Sequence, residues 1–241
     1  MQIIPIKTRI INPPQDDIYG VIDEFCPELK ENDVLLITSK ILSIHQGRCI
    51  SMQEVHDKDE LIKKEADYFI PREECPGQLA ILTIKNNTLI ASAGIDESNA
   101  NGHYIMWPEF PEKEAEKICN YLKEKFSLNK LAVIITDSHS IPLRYGVLGI
   151  SIGFYGLEPF NDYRGKQDIF GKILKMSQSN VVDSLATIGV LAMGEGDEQK
   201  PMAIIRDAEA ISFTNENKFS DVYVPIKEDI YFPILEKFYK K

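Results

Sequence analysis

The apolar positions of this chain change period several times, and each change marks an element. "MQIIPIKTRII" alternates apolar with polar residues and predicts a strand. In "DDIYGVIDEFCPEL", Ile18, Val21, Ile22 and Phe25 share one helical face behind an acidic first turn. "DVLLITSKILSIHQGR" begins with a strongly buried strand, Val34 to Thr38, and continues into a short helix or turn. "DKDELIKKEADYFI" predicts a second amphipathic helix. "QLAILTIKNNTLIASAGI" has two apolar runs joined at Asn86-Asn87, the pattern of a tight hairpin.

The clearest helix is "PEKEAEKICNYLKEKFS". Pro111 starts it, glutamates fill its first turn, and Ala115, Ile118, Cys119 and Leu122 form its stripe. "KLAVIITDS" is then a strand, and "VLGISIGFYG" another, with glycines that imply close packing. "SNVVDSLATIGVLAMGEG" predicts a buried helix running into a glycine-rich turn, "PMAIIRD" a further strand, and "PILEKFYKK" a terminal helix. No repeat, low-complexity tract or linker interrupts the series. The sum is mixed α/β, with a strand–helix alternation too irregular for a doubly wound sheet.

Composition narrows the function classes. A chain of 241 residues is long enough for a sizeable core. Its net charge of −10 argues against general nucleic-acid binding, which needs clustered Lys and Arg, and suits divalent cations where carboxylates converge. The opening residues lack the features of a signal peptide, and no apolar run reaches the roughly 18 residues of a membrane helix, so a soluble, cytoplasmic protein is expected. Cys26, Cys49, Cys75 and Cys119 form no CxxC pair and read as reduced packing residues.

In three places acids follow on apolar runs. Asp96 ends "LIASAGIDESN", with Asn99 three residues on. Asp137 and Ser138 end "LAVIITDS". Glu195, Asp197 and Glu198 stand in the turn "MGEGDE". An acid there also serves as a helix cap or an Asx turn. Carboxylates meeting at the ends of buried strands, with a hydroxyl alongside, would suit magnesium or manganese, which take oxygen ligands and leave places for water and phosphate. Phosphate motifs are missing: there is neither GxxxxGKS/T nor GxGxxG after a strand. Basic candidates are Lys7, Arg9, Lys40, Arg48, Arg144, Arg164 and Lys166, each by default a solvated surface charge. His45, His56, His103 and His139 show no metal-ligand spacing, and no GxSxG supports a hydrolase triad.

"IIPIK", "DVLLITSKILSIHQGR", "SAGIDESN", "IITDS…RYGVLGISIG", "NDYRGKQDIFGK" and "LAMGEGDEQKP" occur in this order. As an ordered set, covering about residues 1–207, they resemble the γ-glutamyl ligases of the deazaflavin coenzyme factor 420, which add L-glutamate to the coenzyme's side chain using GTP. The resemblance implies one γ-glutamyl ligase-like unit over 1–241, built of two α/β subdomains whose boundary the sequence does not place. It also implies an intertwined homodimer, with nucleotide and divalent cations (Mn2+ or Mg2+) in a groove near the interface. Carried over, it puts a first metal between Asp96 and Asp137 and a second on Ser138, where the family usually has Thr, and Glu195. Asn99 would touch the nucleotide. Lys7, Thr8, Arg9, Ile10, Ser39, Lys40, Met193, Gly194, Gly196, Asp197 and Glu198 would surround it.

The chain departs from the family pattern where "SKxxSKAEGR" would place a lysine (Ile44) and an acid (Gln46), and where "TNGR" would place an arginine (Ile141). Arg144 is the cation left in that loop, suited to phosphate or a substrate carboxylate; His139 is the candidate base for the glutamate amine. Three readings follow: ligation onto the deazaflavin coenzyme, the same ligation onto folate, or a nucleotide- and metal-binding protein without ligase activity. ATP in place of GTP stays open.

Overall fold

The computed structural model describes residues 1–240. The chain runs β1 (Gln2–Ile6), α1 (Ile18–Phe25), β2 (Asp33–Thr38), α2 (Ser39–His45), β3 (Cys49–Ser51), α3 (Lys58–Glu65), β4 (Tyr68–Ile70), β5 (Leu82–Lys85), β6 (Thr88–Ala91), β7 (His103–Ile105) and α4 (Pro111–Phe126). It continues through β8 (Leu131–His139), β9 (Leu148–Tyr155), β10 (Phe160–Asp162), β11 (Gln178–Asn180), α5 (Val181–Met193), β12 (Met202–Arg206), α6 (Phe232–Leu235) and β13 (Tyr239–Lys240).

A five-stranded sheet in the order β1-β12-β2-β8-β9 forms the centre. Only β2 and β8 pair in parallel, with Asp33 opposite Leu131 and Thr38 opposite Thr136. Their unbroken apolar runs follow from cover on both faces. Leu35, Ile37, Val133 and Ile135 pack with Ile18 and Ile22 of α1 and with Ile118, Cys119 and Leu122 of α4. The alternate residues Val34, Leu36, Ala132 and Ile134 pack with Val182, Leu185, Ala186 and Val190 of α5. Two-residue alternation thus splits each strand between two helical layers.

Asp17 caps α1, its side chain accepting from the Tyr19 and Gly20 amides, so the expected acidic first turn is a cap instead. The glycines of β9 do pack closely: a Cβ at Gly149 would overlap the Ala186 carbonyl of α5, and one at Gly153 the backbone of Pro111 in α4. β9 gains one extra residue opposite Ile135–Thr136 of β8, a bulge at the level where β8 leaves the sheet's core.

A second sheet, β13-β4-β5-β6, packs with α3 around Ile62, Ala66, Ile81, Ile95 and Met106. Asn86 and Asn87 both have positive φ, 47° and 59°, the backbone that a two-residue hairpin turn requires. Two elements differ from the sequence reading. Helix α3 ends at Glu65, and Tyr68–Ile70 leaves it to pair with β5. The terminal helix shrinks to the single turn Phe232–Leu235, followed by a strand; Lys241 lies outside the described residues. No helix among the described residues is long and apolar enough to cross a membrane.

Candidate functional site

The parallel pair β2 and β8 opens, at its C-terminal end, onto a cavity of about 540 Å³. Crevices at strand C-termini are where open α/β sheets bind ligands, because there rigid strands hand over to loops. Ser39, Asp137 and Ser138 come from the two strand ends. Thr8, Arg9 and Ile10 follow β1, Asp96 and Asn99 come from the loop after β6, and Met193 to Pro201 descends from α5. The last loop is tied down by backbone bonds, the Thr8 amide to the Gln199 carbonyl (2.9 Å) and the Thr38 amide to the Pro201 carbonyl (3.0 Å). The Asn99 side-chain amide donates to the Gly196 carbonyl at 2.8 Å, joining the Asp96 loop to the Glu195 loop.

Three carboxylates meet here with different protonation tendencies. Asp96 is half-buried, which opposes its ionisation. The Lys40 ammonium at 2.7 Å and the Ser98 amide and hydroxyl, at 2.7 and 2.8 Å, outweigh that and hold it below the ordinary carboxylate range. Asp137 shows the opposite balance. Burial, with the Asp96 charge adding to it, pushes its carboxyl up to about 6, although the Trp107 indole, the Ser138 amide and Ser39 all donate to it. No ion pair found among the described residues includes Asp137. Glu195 is also raised, mainly by burial, while Ser138 and Lys40 counteract. Its Oε2 accepts from the Ser138 hydroxyl at 3.4 Å.

A raised carboxyl beside a second carboxylate is a place where extra positive charge lowers the energy. Oxygen donors from Asp96, Asp137, Ser138 and Glu195 fit a hard divalent cation in chemistry. Among the described residues no three His, Cys, Asp or Glu side chains form a cage of their own, so water or ligand oxygens would have to complete the coordination.

A family model described as F420-0:gamma-glutamyl ligase matches residues 5–207. The chain belongs to this family. Coenzyme F420:L-glutamate ligase of Methanopyrus kandleri is 33% identical over 220 residues, 84% of each chain. The proteins of the same name from Methanosarcina mazei and Methanocaldococcus jannaschii are each 31% identical, over 74% and 84% of this chain and 75% and 86% of their own lengths.

Against the F420-0:gamma-glutamyl ligase resemblance, the cavity gathers Thr8, Arg9, Ile10, Ser39, Lys40, Asp96, Asn99, Asp137, Ser138, Met193, Gly194, Glu195, Gly196, Asp197 and Glu198. Three expected residues do not line it. Lys7 is exposed just beyond β1, one position out of phase with the buried Thr8. Arg144 lies in an exposed loop and donates to the Leu143 carbonyl at 2.9 Å. His139 is half-buried, and burial, opposed by the charge of Asp183 in α5, depresses its pKa. Of the other cations, Arg48 binds Glu65 at 2.6 Å, and Arg164 pairs with Asp162 in the β10–β11 hairpin.

Sequence reasoning missed Trp107, whose indole meets Asp137, and the apolar wall of Ile41 and Ile44. Trp107 sits in "IMWPEF", an aperiodic stretch ahead of a proline; its one signal is that it is the chain's single tryptophan. Gln46, the other departure, has a structural use. Its side-chain amide donates to the Glu109 carbonyl at 3.0 Å and accepts from the Glu109 amide at 2.7 Å, a pairing that a carboxylate could only half make.

Proposed function

We propose that this chain is a γ-glutamyl ligase that adds L-glutamate to the side chain of the deazaflavin coenzyme, using a nucleoside triphosphate (GTP, with ATP the alternative) and divalent cations. The observation that carries this reading is the convergence of Asp96, Asp137, Ser138 and Glu195 on one cavity at the strand ends of a chain that belongs to the ligase family. An acceptor carboxylate oxygen attacks the γ-phosphorus, the bond to the β-phosphate oxygen breaks, and the nucleoside diphosphate leaves. The glutamate amine then attacks the acyl phosphate carbon, phosphate departs and the nitrogen loses a proton. Asp96, Asp137, Ser138 and Glu195 would hold the divalent cations, which would supply positive charge against the phosphates. Lys40 and Arg9 add positive charge at the wall. Arg144 and His139 do not line the cavity, and no step of this mechanism is assigned to them.

Folate as acceptor is the second reading. It is favoured by Ile44, which puts a buried apolar side chain in the cavity wall where the family pattern has lysine. The proposal includes a homodimer. Leu143 and Tyr145 of one loop, and Ile169, Phe170 and Met176 of the β10–β11 hairpin, are almost fully exposed, more apolar surface than loops of a monomer usually show. Incubation with GTP or ATP, Mn2+, glutamate and each acceptor in turn tests the assignment by mass spectrometry. A glutamyl adduct on the deazaflavin coenzyme is expected. Adduct on folate alone transfers the reading to folate, and nucleotide binding without any adduct favours an inactive binding protein.

A further inference from the structure

Trp107 is 3% exposed, and its indole N–H donates to Oδ2 of Asp137, whose Oδ1 accepts from the Ser138 amide at 2.9 Å. Two contacts hold the tryptophan itself and a third holds the chain just after it. Gly94, at φ +70°, lies against the ring, where a Cβ would overlap the indole nitrogen. The Arg48 Nε donates to the Trp107 carbonyl at 3.2 Å, and Arg48 is itself anchored on Glu65, which also binds Lys85 at 2.6 Å. Gln46 grips both backbone groups of Glu109, two residues downstream. A large apolar ring needs none of this to fill space. A donor that must keep one heading toward a carboxylate does.

We infer that Trp107 is a positioning residue for the ligation. Its indole N–H fixes the rotation of the Asp137 carboxylate, so that the lone pairs left over face the cavity for a divalent cation. The inference rests on the ligase reading of the cavity for its purpose but not for its test. A charge-assisted donor of this kind confers roughly tenfold or more in cation affinity.

One tryptophan gives one indole N–H resonance in a 15N-labelled sample of the full chain. That resonance should lie well downfield of free tryptophan, move upfield in Asp137→Asn, and shift on titration with Mg2+ in the parent but not in the variant. Trp107→Phe, which keeps a ring and removes the donor, should bind Mg2+ roughly tenfold more weakly by calorimetry. In ligation it should raise the Mg2+ activation constant by a similar factor, with the KM for glutamate little changed. An indole resonance indifferent to Asp137→Asn overturns the inference, as does parent-like Mg2+ binding by folded Trp107→Phe. Should Trp107→Phe not fold, the resonance decides alone. Expected resonance and Mg2+ results without ligation of any acceptor would refute the ligase reading and leave the positioning role standing.

Discussion

Two aspartates mark opposite ends of the parallel pair, and the chain treats them differently. Asp33 begins β2, is fully buried, and takes a bidentate Arg206 at 2.8 and 2.6 Å together with the Lys30 amide at 2.8 Å. Asp137 near the end of β8 is half-buried and takes neutral donors only, from Trp107, Ser39 and the Ser138 amide. Both carboxylates lose water on folding, but only the first regains a full countercharge. Satisfied charge closes the N-terminal end of the sheet. Unmatched charge at the C-terminal end faces a cavity, the pattern expected where a ligand supplies what the protein withholds.

Removing each charge should therefore have opposite consequences. Asp33→Asn leaves the Arg206 guanidinium half-buried without its partner and should cost about 3–5 kcal/mol of stability, the usual result of breaking a buried pair. Chemical denaturation measures this, and turnover per folded molecule should hold. Asp137→Asn should cut ligation by more than about a hundredfold, the loss that removing even an outer supporting group of a metal site can cause. Its melting temperature at pH 7 should not fall. The carboxyl is raised from 3.8 to about 6, so its ionisation costs stability progressively as pH rises through that window, the full cost is present at pH 7, and asparagine removes it. A folded Asp137→Asn with parent-like turnover, or a large stability loss there, would erase the distinction between the two ends.

Gly94→Ala tests whether the open end depends on its support. The substitution puts a Cβ into the Trp107 ring at φ +70° and should cost about 1–2 kcal/mol from the left-handed backbone alone. Mg2+ affinity should weaken along with stability. Stability falling with Mg2+ affinity intact would show that Asp137 needs no help from the indole.

The layers were legible where local pattern and tertiary context agree. The apolar runs Val34–Ile37 and Leu131–Ile135 betray strands covered on both faces, and Asn86-Asn87 dictates its own turn. What no window of sequence contains is that β2 pairs in parallel with β8, or that β12 inserts between β1 and β2. Those contacts join segments about a hundred residues or more apart. Tyr68–Ile70 and the C-terminal segment misled because both are apolar enough for either period, and pairing to neighbouring strands decided the outcome. Site acids showed as strand-end punctuation. Trp107 did not, since its role depends on a carboxylate thirty residues away and on a glycine that only folding brings beneath it. Lys7 is exposed just past the end of β1 and does not line the cavity, whereas its neighbours Thr8 and Arg9 do.

The smallest expected effect lies at the rim of the open end. Arg9 lines the cavity and binds Asp16 through two bonds, at 2.6 and 2.7 Å, and this hydrogen-bonded pairing, against some burial, holds the Asp16 carboxyl down at about 2. A carboxyl lowered on folding stabilises the fold above its unfolded range near pH 4, and that contribution fades as pH falls through about 2. Arg9 is substantially exposed, so solvent screens the pair and Arg9→Ala should cost only about 0.5 kcal/mol. The difference in melting temperature between parent and Arg9→Ala should be constant from pH 5 to 7 and narrow toward pH 2.5. Added salt should narrow it as well, because an exposed pair is screened where the buried Asp33–Arg206 pair is not. A difference that resists both acid and salt would mean that Arg9 acts through packing of its stem, and the rim would then resemble the closed end more than the open one.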